Sequence, residues 1–276
     1  MMKKISILIA NYNNGRYFKD CFDSIIGQTY ENWEVIIVDD ASTDDSLHII
    51  HNLTKDDPRF KIYENKNNKG CGYTKRKCLE YATGNFCGFL DPDDVLDPQA
   101  LELSVDQLEN NSKIVATYSQ MMMCDAGLNP QGTFKNVKQI HNTPYFFNCP
   151  IQLAHFFVFR RKTYLQTKGI NPELESAVDQ DLYLKILDHG NAKFINRVLY
   201  KYRVHPKGIS QDDSKQKAKE NFSKIILETM HRRGIKKIRN NKVPEQFNNS
   251  EEIFNLLEYQ NHWSYRLKRK IYALLS

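Results

Sequence analysis

Short apolar runs that end in acidic or polar residues, with helical patterns between them, restrict this 276-residue chain to a narrow set of folds. Ile5-Ser6-Ile7-Leu8-Ile9-Ala10 reads as a buried strand that gives way to polar Asn11. Trp33-Glu34-Val35-Ile36-Ile37-Val38 reads as a second strand and closes on Asp39-Asp40, while Phe86-Cys87-Gly88-Phe89-Leu90 runs into Asp91-Pro92-Asp93-Asp94. Between the first two, Phe18, Cys21, Phe22, Ile25 and Ile26 recur at helical spacing within residues 15–27. Residues 42–46 then offer capping oxygens to a helix carrying Leu47, Ile49, Ile50 and Leu53. Residues 60–63 form a weaker strand pattern and residues 72–81 a short helix. Such alternation predicts an α/β fold with an open, mainly parallel sheet and right-handed crossovers. Residues 10–13, Asp39-Asp40 and residues 91–94 then share one rim, at the strand ends where open α/β sheets bind ligands.

Three carboxylates crowding the end of an apolar run need a positive partner. Pro92 disfavours the α region at Asp91 and keeps the turn open. Hard oxygens presented this way suit Mg²⁺ or Mn²⁺ held together with substrate phosphates; taken alone, the segment also reads as a solvated turn or helix cap. Farther along, residues 113–118 look like a strand, 125–130 a turn, 131–148 a polar and aromatic loop, and 156–160 another strand. Residues 178–187 should form an amphipathic helix with acids in its first turn, where the helix dipole favours negative charge.

With 41% hydrophobic and 26% charged residues, the chain is globular and holds one large domain, alone or with an appendage. Its six cysteines are scattered without a CxxC pair, which predicts reduced thiols in a cytosol and no zinc site or disulfide framework. The first apolar run stops at Ala10, so it reads as a strand and not a signal peptide. No stretch of about 18 apolar residues predicts a transmembrane helix. Of the 39 Lys and Arg, 15 lie in residues 207–276 against 8 of the 33 acids, so the body is near neutral and the tail basic. A nucleic-acid binder would spread its cations over the main domain, and nucleic acid is not an expected partner. No GxGxxG follows the first strand, which argues against a dinucleotide-dependent oxidoreductase. Ala10-Asn11-Tyr12-Asn13-Asn14-Gly15 holds a single glycine, which argues against a nucleotidyltransferase, the nearest enzymatic alternative.

The ordered set Ser6-Ile7-Leu8-Ile9-Ala10-Asn11-Tyr12-Asn13, Gln28-Thr29-Tyr30, Val38-Asp39-Asp40-Ala41-Ser42-Thr43-Asp44, Asn68-Lys69-Gly70, Phe89-Leu90-Asp91-Pro92-Asp93-Asp94 and Asp179-Gln180-Asp181-Leu182 resembles the family 2 glycosyltransferases of the GT-A fold. The resemblance implies a catalytic domain over residues 1–210, with nucleotide-sugar binding in about 1–95 and the acceptor part in 96–210, followed by a helical extension over 211–276. It implies an inverting, metal-dependent transfer of a hexose-type sugar from a UDP-sugar to a saccharide or lipid-linked saccharide, in cell-surface polysaccharide synthesis. By the same resemblance Ala10, Tyr12 and Asn13 lie against the nucleotide, with Tyr12 stacked on the base. Asp40 accepts the uracil imide proton, and Asp93 contacts ribose and sugar. Asp94 holds the Mn²⁺ or Mg²⁺, Asp91 serves either role, and His205 of Tyr202-Arg203-Val204-His205-Pro206 approaches the diphosphate or metal. Asp179 is the general base, with Asp181 the alternative because Val178 stands where relatives carry a further acid. Lys75-Arg76 replaces a usual Arg-Asn pair, making Lys75 the donor-side cation. A non-catalytic sugar-nucleotide-binding scaffold of the same fold is the other class of reading.

Residues 211–276 read as two helical stretches. In the second, Ile253, Leu256, Gln260, Trp263, Leu267, Ile271 and Leu274 fall on one stripe with Arg266, Lys268, Arg269 and Lys270 nearby. Such a helix packs either on its own catalytic domain or on an anionic bilayer. The corresponding location is cytoplasmic, with peripheral contact on the inner membrane face in the second case.

Overall fold

The computed structural model describes residues 2–206, 215–265 and 267. Its first half follows the alternation in the sequence: β1 (Ile5–Asn11), α1 (Gly15–Ile26), β2 (Trp33–Asp39), α2 (Ser46–Thr54), β3 (Phe60–Glu64), α3 (Cys71–Tyr81) and β4 (Phe86–Phe89). β1 lies between β2 and β4, and β3 extends the sheet beyond β2, all in parallel register. β1, β2 and β4 are buried almost throughout, as strands covered on both faces must be, and their apolar side chains form the main core.

After β4 come β5 (Val95–Leu96), α4 (Ala100–Asn110), β6 (Ile114–Cys124), β7 (Pro130–Thr133), β8 (Val158–Arg160), α5 (Arg161–Tyr164), α6 (Val178–Leu187) and β9 (Asn191–Arg203). The sheet order is β3-β2-β1-β4-β8-β6-β9-β5, with β7 on the edge of β6. β8 runs antiparallel to both β4 and β6, so the sheet is mixed. This reversal positions the site, because the residues preceding β8 come to lie beside those that follow β4. The strand predicted at 113–118 extends to Cys124, paired in parallel with the long β9.

The C-terminal part holds α7 (Lys215–Arg232), a two-strand hairpin of β10 (Lys237–Ile238) and β11 (Asn241–Lys242), and α8 (Ser250–Leu257). Ile225 of α7 belongs to the main core; Ile226, Leu227 and Met230 join Phe147, Ile253 and Leu257 in a second core. The long final helix is not continuous: α8 ends at Leu257 and a 3₁₀ turn follows over Glu258–Asn261. Ile271, Leu274 and the cations Arg266, Lys268, Arg269 and Lys270 lie outside the described residues. Among those described, no helix is long and apolar enough to cross a membrane.

Candidate active site at the strand ends

The C-terminal ends of β1, β2 and β4 open into a cavity of about 930 Å³, lined by Tyr12, Asp40, Lys75, the acidic turn and Asp179, among others. Two bracing networks shape the nucleotide side. Asp39 accepts from Asn11 Nδ2 at 2.6 Å and from the Ser42 backbone N–H and hydroxyl at 2.8 and 2.7 Å, tying β1 to the loop after β2. Asn13 adds a second tie, its Oδ1 accepting from the Thr43 and Asp44 backbone N–H groups. Asp40 accepts from Asn65 Nδ2 at 2.7 Å and from the Lys69 and Gly70 N–H groups at 2.8 Å each. Gly70 adopts φ 87°, a conformation that suits glycine, where the chain turns from this loop into α3. Gly72 has a different reason to lack a side chain: a Cβ there would come within 2.5 Å of the Asn171 carbonyl. Tyr12 stands 45% exposed on this wall, beside Ala10 and Asn13.

The acidic turn occupies the middle. Asp94 is 1% exposed; its Oδ2 accepts from Tyr200 hydroxyl and its Oδ1 from the Arg203 N–H, each at 2.7 Å. Burial, then Asp93 and Asp91, raise its pKa well above the usual carboxylate range. Each Asp94 oxygen accepts one hydrogen bond that fixes the turn on β9, and the carboxylate also lines the cavity. Asp93 is the opposite case: its side chain is 18% exposed and its Oδ2 sits 2.8 Å from His205 Nε2. Burial and the neighbouring Asp91 raise its pKa as well, with His205 opposing. Arg203 locks the turn from behind, donating to the Asp93 carbonyl at 2.7 Å and pairing with Asp20 at 2.6 Å.

Among the described residues no group of three or more His, Cys, Asp or Glu side chains is placed to hold a metal ion by itself. Mg²⁺ and Mn²⁺ sites that include substrate phosphates need only one or two carboxylates from the protein. A half-buried Asp93, the 27% exposed Asp91 and a converging imidazole suit such a site, and a cation there would relieve the crowding of like charge.

Opposite the turn, α6 begins after Ala177, whose φ of 57° swings the chain into the helix. Asp179 lines the cavity: its Oδ1 accepts from Lys75 Nζ at 2.8 Å, and its Oδ2 lies 3.7 Å from His155 Nε2. Burial works against its charge, yet Lys75 and His155 outweigh burial and hold its pKa below the ordinary value. Lys75 also lies 3.2 Å from Asp91, and its side chain is 5% exposed. Burial opposes its charge too, but Asp179 and Asp91 raise its pKa well above the usual ammonium value. The Lys75 ammonium, expected on the donor side, lines the cavity and is engaged there by two carboxylates. The alternative base, Asp181, is corrected. It is 2% exposed, and its carboxylate is taken by Lys185 Nζ at 2.7 Å and the Asn171 N–H at 2.9 Å, away from the cavity.

His155 and Tyr200 were not singled out in the sequence. The signal for His155 was present, since it stands at the head of the apolar run Phe156-Phe157-Val158-Phe159 much as Asp91 stands at the foot of its own. An antiparallel β8 was needed to bring the two ends to one rim.

A second cavity of about 610 Å³ lies at the C-terminal end of α6, lined in part by Lys168, Asp188, Arg232 and Arg233. Its carboxylate, Asp188, is taken by Arg232 and Arg233 at 2.5 and 2.7 Å; the larger cavity, which gathers the acidic turn and Asp179, is the candidate site.

The glycosyl transferase family 2 model matches residues 6–166 of the chain. The chain belongs to that family. Its match ends before Asp179, whose position opposite the acidic turn therefore rests on the geometry. The chain is 32% identical over 237 residues to a chondroitin synthase of Escherichia coli, covering 84% of this chain but 33% of that protein. It therefore spans about a third of that relative's length. Among solved structures, S. aureus TarS 1–349 in complex with UDP-GlcNAc superposes with a TM-score of 0.68 at 20% identity, over 81% of this chain and 66% of that one. The mannosyltransferase PcManGT from Pyrobaculum calidifontis, in complex with GDP-Man and Mn²⁺, gives 0.61 at 15% identity, over 99% and 86%. At such identities the likeness shows the family 2 chain to share the GT-A architecture of these proteins.

Proposed function

We propose that the chain moves a sugar from a UDP-sugar to a saccharide hydroxyl with inversion at the anomeric carbon, as a step in polysaccharide synthesis. The observation that carries this reading is the position of Asp179. It is charged, held on one oxygen by Lys75, and faces the acidic turn across the same cavity that has Tyr12 and Asp40 on its nucleotide wall.

Tyr12 supplies an aromatic face for the base, worth about 1–3 kcal/mol. A carboxylate offers roughly four acceptor positions, and Asp40 uses three on the protein. The fourth suits the imide N–H of uracil; cytosine has no such donor, so Asp40 favours uridine. Asp93, Asp91 and His205 would hold a Mn²⁺ or Mg²⁺, which when bound supplies positive charge to the departing diphosphate. Asp94, Tyr200 and Arg203 keep that turn in shape, and Asp179 Oδ2 takes the proton of the acceptor hydroxyl. Attack from the side opposite the diphosphate converts an α-linked donor to a β-linked product. TarS with UDP-GlcNAc and PcManGT with Mn²⁺ support the donor class and the cation. The chondroitin synthase supports a saccharide acceptor, for which a lipid-linked saccharide is the alternative form.

Differential scanning fluorimetry with UDP, GDP and CDP, each with Mn²⁺ and with EDTA, tests the reading, since a ligand that binds only the folded state raises Tm. UDP with Mn²⁺ should give the largest rise and lose most of it in EDTA. Equal shifts for all three nucleotides would contradict the role of Asp40.

A further inference from the structure

We propose that His155 is the group to which Asp179 passes the proton of the acceptor hydroxyl, so that the catalytic base is an Asp179–His155 pair. The inference rests on the transfer reaction proposed above and concerns where its proton ends. Asp179 is a weak resting place for a proton, because the Lys75 ammonium 2.8 Å from its Oδ1 favours its charged form. Two side chains flank its carboxylate. Lys75 sits on Oδ1, already protonated and held so by two acids. His155 sits near Oδ2, with Nε2 at 3.7 Å, which is longer than a hydrogen bond. Neutral imidazole is thus the one flanking group with a lone pair to offer.

The ring is held in place without losing that nitrogen. It stacks on Tyr200 at 5.0 Å between centroids, meets Tyr183 edge-on at 6.4 Å, and lines the cavity. The ionisable groups around it are Asp179 and Tyr183 of α6, Lys75 of α3, which acts through Asp179, and Tyr200 of β9. Both tyrosines have raised pKa values, from burial first and from nearby acids second, so each stays neutral and neither competes as an acceptor.

In the transfer, the acceptor O–H bond breaks as its oxygen bonds the anomeric carbon, and the bond from that carbon to the diphosphate breaks, its electron pair leaving with the diphosphate. The proton goes to Asp179 Oδ2 and then to His155 Nε2, leaving carboxylate and imidazolium side by side. No further reactant is needed.

Two measurements test the pair. In the first, UDP release from UDP-GlcNAc, UDP-glucose and UDP-glucuronate with Mn²⁺ is followed against pH for the wild-type chain, His155→Gln and His155→Asn. The wild-type rate should fall on the acid side of its optimum, where the imidazole can no longer take the proton. Both variants should lose that limb and about 100-fold in kcat, with the donor KM unchanged. A variant that keeps the limb and the rate overturns the proposal. In the second, the His155 ring is titrated by NMR in the wild-type chain and in Asp179→Asn, which needs no turnover. Removing the carboxylate charge should lower the imidazole midpoint; an unchanged midpoint overturns the pair. Should no donor be turned over while the midpoint moves, the reaction assigned above fails and the coupled pair stands.

Discussion

Asp179 and Asp181 are both acids in the first turn of one helix, and the sequence offers no way to choose between them. Helical geometry separates residues two apart by about 200°, so one faces the cavity and the other the protein interior. Asp179→Asn keeps the shape and removes the base. Its turnover should fall by about 10²–10⁴-fold while the UDP dissociation constant stays within roughly twofold; parental turnover in this variant would refute the base. On the nucleotide wall, Tyr12→Ala should weaken UDP binding by about 1–3 kcal/mol in calorimetry, and an unchanged affinity would remove the stacking role. The acidic turn was legible as a corner of crowded carboxylates, but the division of contacts within it was not. That division depends on β9, more than 100 positions away in sequence, reaching Asp94 with Tyr200 and Arg203.

A buried acid outside the site makes a pH prediction of its own. Glu34, near the start of β2, accepts from Ser6 at 2.7 Å, from the Thr83 N–H and hydroxyl at 2.7 and 2.8 Å, and from Lys61 at 2.9 Å. Burial pushes its pKa up, but Lys61, Ser6 and Thr83 outweigh burial and take it far below the ordinary range. A depressed folded-state pKa stabilises the fold above the unfolded value, roughly 4.3, and that stability is lost as pH falls below it. Glu34→Gln should cost about 1–3 kcal/mol near pH 7 in urea unfolding and flatten the decline in stability between roughly pH 5 and 3. A variant as acid-sensitive as the parent would contradict this.

At the scale of elements, β1, β2 and β4 were readable because each apolar run is short, buried on both faces and punctuated by turn residues. Beyond residue 110 that logic weakens. β8 has only three residues, and nothing local signals that it runs antiparallel between β4 and β6. The final amphipathic stripe suggested one helix, yet periodicity does not report where a helix gives way to a 3₁₀ turn, as happens after Leu257. Helix α7 meets both ends of α6. Near the start, Asn221 donates to Ser176 at 2.8 Å and Lys217 pairs with Glu175; past the end, Arg232 and Arg233 share Asp188. Arg233 also donates to the Pro144 and Phe146 carbonyls at 2.9 and 2.6 Å. Arg233→Ala should therefore destabilise the chain by about 1–3 kcal/mol, since Asp188 keeps Arg232 as a partner. A loss below about 0.5 kcal/mol, typical of an exposed ion pair, would show that this anchor carries little.

For the whole molecule, the mixed sheet gathers loops from both halves of the chain onto one rim: the ends of β1 and β2, an acidic turn after β4, and α6 with the residues before β8. Asn11 and Asp39 brace that rim, and Tyr12, Asp40, Asp93, His205, Asp179 and His155 are the residues proposed to meet ligands. The most direct test of this division is a crystal structure with UDP and Mn²⁺. The account predicts the uracil on Tyr12 and Asp40, with the pyrophosphate against Asp91 and Asp93 and the cation between it and His205. Pyrophosphate bound away from the acidic turn, for instance beside Arg232 and Arg233 in the second cavity, would contradict it.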